Sequence, residues 1–392
     1  MATRNASRGD SGKKGRGGLM RGLCVWAVLV GTTMGGVGSV WGESEQAMHL
    51  RLVFFSPADV EPPPGAGERM RAIAEYAQAF YTEGMKRWAY EPAQALAIER
   101  DEEGEPVVYW VRGEKDKASG RYDQLGFGEE IIRLAREEYG IAEGPDVWWF
   151  FLWQGPEKGW GRGMGTVKNG GRANAGYFDE EGEVTVGDDL GGGFLEAIKL
   201  KGAMHELGHG FGLPHIGPKG VDDLGNTLMG PTNAAFETRG MRGDDSRVYL
   251  SEAAAAMLWK HPLFTGTSEG HAEVPAVRLQ DFSASFDEEE GVLTVKGTVR
   301  SNGKAHSVVV GNESKKMRTP YWRKTFVGRV GDDGSFEVKL DEVDETDGLL
   351  RIAFCFENGA ITGGKRALGF DRTGIEKVYR FVDGDFVFSD PE

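Results

Sequence analysis

The eleven residues from His205 to His215 read HELGHGFGLPH, and they constrain the fold more than any other part of the chain. His205 and His209 are four residues apart. At 100° per residue, two such positions lie about 40° apart on a helix, so both imidazoles share one face. Glu206 lies about 100° from His205, at the edge of that face. The spacing predicts a helix that presents two imidazoles and a carboxylate, a set typical of a zinc centre.

The opposite face of this helix is apolar and consists of Leu200, Met204, Leu207 and Phe211. Such a stripe predicts that the helix packs on a core while the histidines face a cleft. The helix must then end, so that His215 can turn back to the same metal. Gly210 and Gly212 are expected to supply the break, because glycine takes a positive φ without a Cβ clash. Ordinary loop composition is the alternative for both, since the chain has 60 glycines.

The full pattern H-E-x-x-H-x-x-G-x-x-H resembles the zinc signature of the metzincin clan of metallopeptidases. The resemblance implies zinc ligation by His205, His209 and His215, a general base at Glu206 and the family glycine at Gly212. The clan also has a methionine in a turn under the metal. Met229, within residues 226–230, is the candidate for this Met-turn, and ordinary core packing is its alternative.

Two positions depart from named families of the clan. Ile216 follows the third histidine, where several families have a characteristic polar residue or proline. Pro231 stands two residues after the methionine, where some families have a tyrosine. The sequence therefore indicates the clan without a family inside it.

The expected chemistry is that of a zinc-dependent endopeptidase acting on a protein or peptide. Three neutral imidazoles leave a fourth position on one zinc ion for water. The metal activates this water, and Glu206 takes its proton and passes it to the leaving amine. Two alternatives stay open: a non-proteolytic adhesion or binding protein on a peptidase-like fold, and a zinc hydrolase of a non-protein amide or ester. The intact Glu206 argues against a pure binding role.

Residues 1–42 are expected to be a signal peptide, which predicts a secreted or periplasmic and bacterial protein. A basic region with Lys13, Lys14, Arg16 and Arg21 precedes the uncharged residues 22–42. The alternative is an uncleaved membrane anchor, because 21 uncharged residues could just span a bilayer. The glycines of this stretch weigh against an anchor.

Charge limits the possible partners of the chain, and cysteine content indicates the compartment. Residues 1–42 hold six of the 46 basic and one of the 61 acidic residues, so the remainder carries 40 against 60, a net charge of −20. This balance argues against nucleic acid or an anionic membrane as partner. After cleavage only Cys355 remains, so no intramolecular disulfide can form, which suits a bacterial exported protein. Oligomeric state is left open.

The fold class is expected to be α+β. A metzincin-like catalytic domain at residues 43–265, with a twisted mixed sheet and long helices, should precede an immunoglobulin-like β-sandwich at residues 276–392. Predicted strands and helices of the first domain lie at 50–55, 70–88, 106–112, 128–139, 146–153 and 252–260. Ser251 is expected to cap the last helix and Pro262 to end it.

Between these elements, residues 173–178 and 183–187 are candidate strands bordering the cleft, where an edge strand could pair with extended substrate. A mobile surface loop is the alternative. Acidic residues cluster beside them: Asp179, Glu180, Glu181, Glu183, Asp188 and Asp189. Calcium is one interpretation of this cluster, although no EF-hand spacing is present, and a solvated acidic loop is the other.

The second domain shows a period of two from Val277. Strands are predicted at 292–299, 307–310, 325–330, 336–340 and 349–356, with hairpin signals at residues 302–303 and 333–334. No motif there indicates chemistry. Isolated histidines are expected at the surface or at helix caps: His261, His271 and His306. Tyr321 and Trp322 are expected in core or edge packing, with a glycan-stacking face as the alternative.

Overall fold

The computed structural model describes residues 47–123, 126–156, 164–166, 170–177, 198–232, 235–236, 248–271, 273–365 and 367–389. The expected signal peptide, the acidic cluster and the candidate strand at 183–187 lie outside these residues. None of the helices in the described ranges combines the length and apolar character needed to cross a bilayer.

The N-terminal region is built on a mixed sheet. Its described strands are β1 (Leu50–Ser56), β2 (Val108–Arg112), β3 (Val147–Leu152), β4 (Met164–Thr166) and β5 (Arg172–Gly176), in the order β2-β1-β3-β5-β4. All neighbours are parallel except β4, which runs antiparallel to β5. Two short strands further along the chain, β6 (Asn226–Thr227) and β7 (Val248–Tyr249), form a separate parallel pair. Every residue of β1 and β3 is buried, as their continuous apolar sequences predict for strands covered on both faces. The expected mixed sheet is confirmed.

Helices cover both faces of this sheet. They are α1 (Ala66–Arg87), α2 (Gly128–Tyr139), α3 (Ile198–Gly210), α4 (Glu252–Leu258) and α5 (Pro262–Thr265). Residues of α1, α3 and α4 share one hydrophobic cluster, and those of α2 form a second cluster on the other face. The Tyr81 hydroxyl of α1 donates to the backbone oxygen of Met204 in α3 over 2.8 Å. The longest helix thus supports the helix that carries the histidines.

The sequence predicts the start of α4 correctly, but it assigns Pro262 to the wrong helix end. Ser251 caps α4 as expected, its Oγ accepting from the Ala254 N–H over 3.3 Å. Pro262 does not simply end that helix; it begins α5. A proline fits the first turn of a helix because the N–H that it lacks would have no partner there. Strand β4 was not predicted, because Met-Gly-Thr has no apolar alternation.

A buried ion pair joins the ends of β1 and β3. Asp146 accepts from Arg51 Nε over 2.8 Å and from the His49 N–H over 3.2 Å, and both side chains of the pair are buried. Arg51 also pairs with Glu99 and donates to the Tyr109 hydroxyl. Removing Asp146 would take away the buried counter-charge of the Arg51 guanidinium, which would keep only the partly exposed Glu99 as an acidic partner.

Asp146→Ala is expected to lower the free energy of unfolding by about 3–5 kcal/mol, measured by urea denaturation. The matched control is Glu61→Ala, which breaks the solvent-exposed pair with Arg112 and should cost less than about 1 kcal/mol. Equal losses for the two variants would contradict this assignment.

The C-terminal region consists of two antiparallel sheets that share one hydrophobic cluster. The smaller sheet has the order β12-β9-β8, with β8 (Val277–Asp287), β9 (Val292–Ser301) and β12 (Ser335–Leu340). The larger sheet consists of β10 (Ala305–Ser314), β11 (Lys324–Arg329), β13 (Gly348–Phe356), β14 (Ile361–Thr362), β15 (Ile375–Val382) and β16 (Asp385–Ser389). Its order is β11-β10-β13-β15-β16, and β14 pairs with β13. All five predicted strands are present. The immunoglobulin-like strand order stays a prediction.

One of the two hairpin signals is wrong. Asn302 and Gly303 connect β9 to β10, which lie in different sheets. Gly303 lacks the positive φ that a two-residue hairpin turn needs, and the Asn302 side chain instead accepts from the Ala276 N–H over 2.7 Å. At residues 333–334 the chain reverses as predicted, because an antiparallel bridge joins Val330 and Phe336 on either side of them.

The two regions are in extensive contact. Residues Glu45–Glu392 form one unit, and the cluster beneath α1, α3 and α4 continues into Val309, Ala353, Cys355, Ile361 and Phe370 of the C-terminal region. Cys355 is buried there, and burial raises the pKa of its thiol to about 12. Contacts between the regions therefore reach close to α3.

Candidate metal centre and active site

The structure brings His205, His209 and His215 together. One ligand atom of each lies within 4.8 Å of the other two. The Nε2 atoms of His209 and His215 are 3.1 Å apart. Tetrahedral zinc with bonds of 2.0–2.1 Å holds neighbouring nitrogens about 3.3 Å apart, so the three side chains fit one metal ion.

Backbone carbonyls orient two of these imidazoles. His205 Nδ1 lies 2.9 Å from the Leu228 oxygen, and His209 Nδ1 lies 2.7 Å from the Leu213 oxygen. Because a carbonyl oxygen only accepts, each Nδ1 carries the hydrogen, and each Nε2 is left with a lone pair. Burial lowers the pKa of His205 to about 3 and that of His215 to about 4, which keeps both imidazoles neutral. Neutral imidazoles are the form that binds a metal.

The end of α3 explains how the third histidine returns. The Leu213 N–H donates to the Gly208 oxygen over 2.9 Å, and the Gly212 N–H donates to the His209 oxygen over 3.0 Å. With φ of 94° at Gly212, these two bonds form a Schellman motif. The break predicted for Gly212 is confirmed. Gly210 does not take part in it, because Gly210 is the last helical residue and lacks a positive φ.

The Met-turn candidate lies directly beside α3. The Gly230 N–H donates to the Thr227 oxygen over 3.1 Å, which closes a turn around buried Met229. A Cβ added at Gly208 would lie 2.5 Å from the Met229 sulfur, so only glycine leaves room for this methionine. Sequence reasoning missed Gly208, which stands between the two helical histidines and has no role in the signature pattern.

Glu206 lies on the side of the site that faces β4. Burial raises the pKa of its carboxyl to about 7, and a backbone hydrogen bond from Gly165 opposes this rise. A Cβ at Gly165 would collide with the Glu206 carbonyl oxygen and with His209 Cβ. A glycine is therefore required where β4, the last strand in the described order, crosses α3, and the Gly165 N–H points to the carboxylate.

An aromatic side chain from the C-terminal region reaches the histidines. Tyr321 lies in a short 3₁₀ turn, Pro320–Trp322, and its ring centroid is 3.9 Å from that of His215 and 5.7 Å from that of His205. Burial raises the pKa of the phenol, with the charge of Glu206 as a second cause. The expectation of core or edge packing is wrong for Tyr321, because its partly exposed ring lies against the histidines. Nothing in the local sequence indicates this contact, which forms between residues 106 positions apart.

Residues 320–323 also hold the loop that carries His215. Buried Arg323 donates to the His215 oxygen over 3.4 Å, to Asp371 over 2.6 Å and to Glu313 over 2.9 Å. The Gly217 N–H donates to the Arg323 oxygen over 2.6 Å. A Cβ at Gly217 would lie 2.5 Å from the Trp322 carbonyl carbon, so the two backbones pack directly together.

The remaining predicted site features divide into two groups. The candidate strand at 173–178 is present as β5, and the apolar stripe of α3 is buried at Met204, Leu207 and Phe211. The acidic cluster lies outside the described residues, so calcium stays a hypothesis.

His261 and His306 lie outside the histidine cluster and have structural positions. His261 caps α5, its Nδ1 accepting from the Leu263 N–H over 3.3 Å, and it is buried. His306 is also buried, with its ring perpendicular to that of Trp259 and 4.9 Å between the centroids. The expectation of a surface or capping position is confirmed for His261, which caps a helix, and is wrong for His306. Burial lowers the pKa of His306 to about 3 and lowers that of His261 far below its ordinary value.

These lowered pKa values predict acid sensitivity. In the unfolded chain both imidazoles take up a proton near pH 6.5, whereas in the folded protein they stay neutral. The unfolded state then binds more protons, so stability falls as the pH falls below about 6.5, by about 1.4 kcal/mol per pH unit for each histidine. Urea denaturation of the metal-free protein between pH 7.5 and 5 measures this slope. His261→Asn keeps a capping side chain that does not titrate, and an unchanged slope in this variant would contradict the assignment.

Comparison with known proteins gives matches of structure alone. No protein-family model and no curated protein sequence matches this chain. Two structures of wild-type OgpA from Akkermansia muciniphila are similar, with TM-scores of 0.63, identities of 20% and 21%, and coverage of 86% and 88% of this chain and 94% and 96% of OgpA. A catalytically inactive OgpA in complex with an O-glycopeptide substrate, glycodrosocin, has a TM-score of 0.61 at 21% identity and covers 81% of this chain and 92% of that one. Since the aligned part exceeds four fifths of the chain, the resemblance of fold includes both regions.

Proposed function

We propose that this chain is a zinc-dependent peptidase. The observation that carries the proposal is the cluster of three neutral imidazoles whose ligand atoms lie within 4.8 Å, beside the half-buried carboxylate of Glu206. The likeness to OgpA supports a peptidase-like function, because one OgpA structure contains a glycopeptide substrate. The metzincin-type spacing of the motif favours zinc over other metals.

A zinc ion held by His205, His209 and His215 would activate water and polarise a substrate carbonyl. Glu206 is the general base: its carboxylate takes a proton from the attacking water and delivers it to the leaving amine. The Gly165 N–H orients this carboxylate. A peptide that pairs with the outer edge of β4 would bring its backbone past Glu206, as strand addition to an exposed edge does in other proteins.

We propose further that residues 1–42 direct export, and that residues 43–265 and 276–392 are two domains of which the first carries the metal motif. The basic start and uncharged continuation of residues 1–42 support the first of these statements. The change from mixed sheet to two antiparallel sheets after α5 supports the second.

The test uses the full chain after removal of residues 1–42. We expect one zinc ion per chain and cleavage of an O-glycopeptide or of its unglycosylated counterpart, with the products identified by mass spectrometry. A chelator should abolish this cleavage, and added zinc should restore it. A zinc-loaded protein that binds these peptides and leaves them intact would favour the binding-protein alternative. Hydrolysis confined to small esters or amides would favour the other alternative.

A further inference from the structure

We propose that the C-terminal region completes the active site, with Tyr321 donating its phenolic O–H to the carbonyl oxygen of the peptide bond that is cleaved. This inference rests on the proposed function and adds a substrate-contacting residue from outside the region that carries the metal motif. It makes the two regions parts of a single site.

The position of the Tyr321 ring supports this role. The ring leans on His215, with 34° between the two planes, and lies 5.7 Å from His205. Tyr321 is 39% exposed, so only part of the ring is covered. Among the described residues the phenolic oxygen has no hydrogen-bond partner. A donor beside the histidines is thus left available to a ligand.

The turn that carries Tyr321 is held from both sides. Pro320 begins the turn, and the Trp322 and Arg323 N–H groups donate to the Thr319 and Pro320 oxygens, each over 3.0 Å. Arg323 links the same segment to the backbone of His215, as described above. A donor fixed in advance stabilises developing charge better than a mobile one, because it need not reorganise during the reaction.

Several of the described polar groups near the histidines are already engaged. The Nδ1 atoms of His205 and His209 donate to backbone oxygens. The terminal nitrogens of Arg323 donate to Glu313, Asp371 and the His215 oxygen. The Tyr321 O–H, by contrast, lies next to the histidines and donates to none of the described residues.

The chemistry needs no proton from Tyr321. When water adds to the carbonyl carbon, a C–O bond forms and the π pair of the C=O bond moves onto its oxygen, which becomes negatively charged. The phenol stabilises this oxygen by a hydrogen bond and keeps its proton. The pair then returns as the C–N bond breaks, and the amine leaves with the proton that Glu206 held.

Tyr321→Phe is the decisive variant, because it keeps the ring on His215 and removes only the O–H. Tyr139→Phe is the matched control: Tyr139 is 42% exposed and lies at the end of α2, on the other face of the sheet from α3. We expect Tyr321→Phe to keep its zinc and melting temperature, to lose about 10²-fold in kcat, and to change KM by less than about threefold.

A second measurement does not depend on cleavage. Acetohydroxamate binds zinc through its oxygens, and we expect Tyr321→Phe to bind this probe about tenfold more weakly than the wild-type and Tyr139→Phe proteins. Wild-type-like kcat and probe affinity in Tyr321→Phe would overturn the proposal. So would a loss of zinc in that variant, since the phenol would then hold the metal. If the wild-type protein holds zinc and cleaves nothing, the proposed function fails, and probe binding still tests Tyr321.

Discussion

Glu206→Gln is expected to lower the rate of peptide cleavage by about 10³-fold, within the range that general base catalysis contributes. Glutamine has nearly the same shape, and its amide oxygen can still accept the hydrogen bond from Gly165. It cannot take a proton from water. Zinc content and melting temperature should therefore stay at wild-type values while kcat falls.

Glu138→Gln is the matched control, because it makes the same change at an exposed carboxylate on α2. This variant should cleave at the wild-type rate. If Glu206→Gln keeps full activity, Glu206 is not the base. If it loses zinc, the side chain serves the metal site instead.

The pH profile gives an independent check on Glu206. A general base must be deprotonated, so kcat/KM should fall as the pH falls through the pKa of this carboxyl. Burial raises this pKa to about 7 in the metal-free protein, and the positive charge of a bound metal lowers it again. We expect the acidic limb below pH 7, and we expect it to be absent from the residual activity of Glu206→Gln. A profile that rises toward acid would contradict the assignment.

His209→Ala is expected to weaken zinc binding by more than about 100-fold, which exceeds the 10–100-fold typical for loss of an outer partner of a metal ligand. His209 lies between the other two histidines: its ring centroid is 4.7 Å from that of His205 and 4.7 Å from that of His215. Two imidazoles cannot close a tetrahedral site, so cleavage should disappear together with the metal.

The zinc measurement needs a histidine control, because a chain with several imidazoles binds some zinc without specificity. His49→Ala removes a partly exposed histidine that precedes β1 and lies outside the cluster. Its zinc affinity by competition with a chromogenic chelator should equal that of the wild type. Equal affinities for His209→Ala and His49→Ala would remove His209 from the metal site.

Much of the fold follows from local pattern. The helix at 128–139 has the bounds that its periodicity predicts, and the Ser251 cap and the apolar runs of β1 and β3 are where short-range signals place them. Such features depend on neighbours within a few residues, so the chain alone specifies them. Strand β4 was missed because its three residues acquire their conformation from β5 and α3.

The sequence by itself determined the histidine cluster. Its three histidines lie within eleven residues, and helix geometry with one glycine of positive φ is enough to bring them together. Only the tertiary structure decided what surrounds that cluster: Gly165 and Gly208 at close approaches, and Tyr321 and Arg323 from the C-terminal region. These contacts join segments far apart in the chain, whose meeting depends on how two regions pack, and no local spacing encodes that packing.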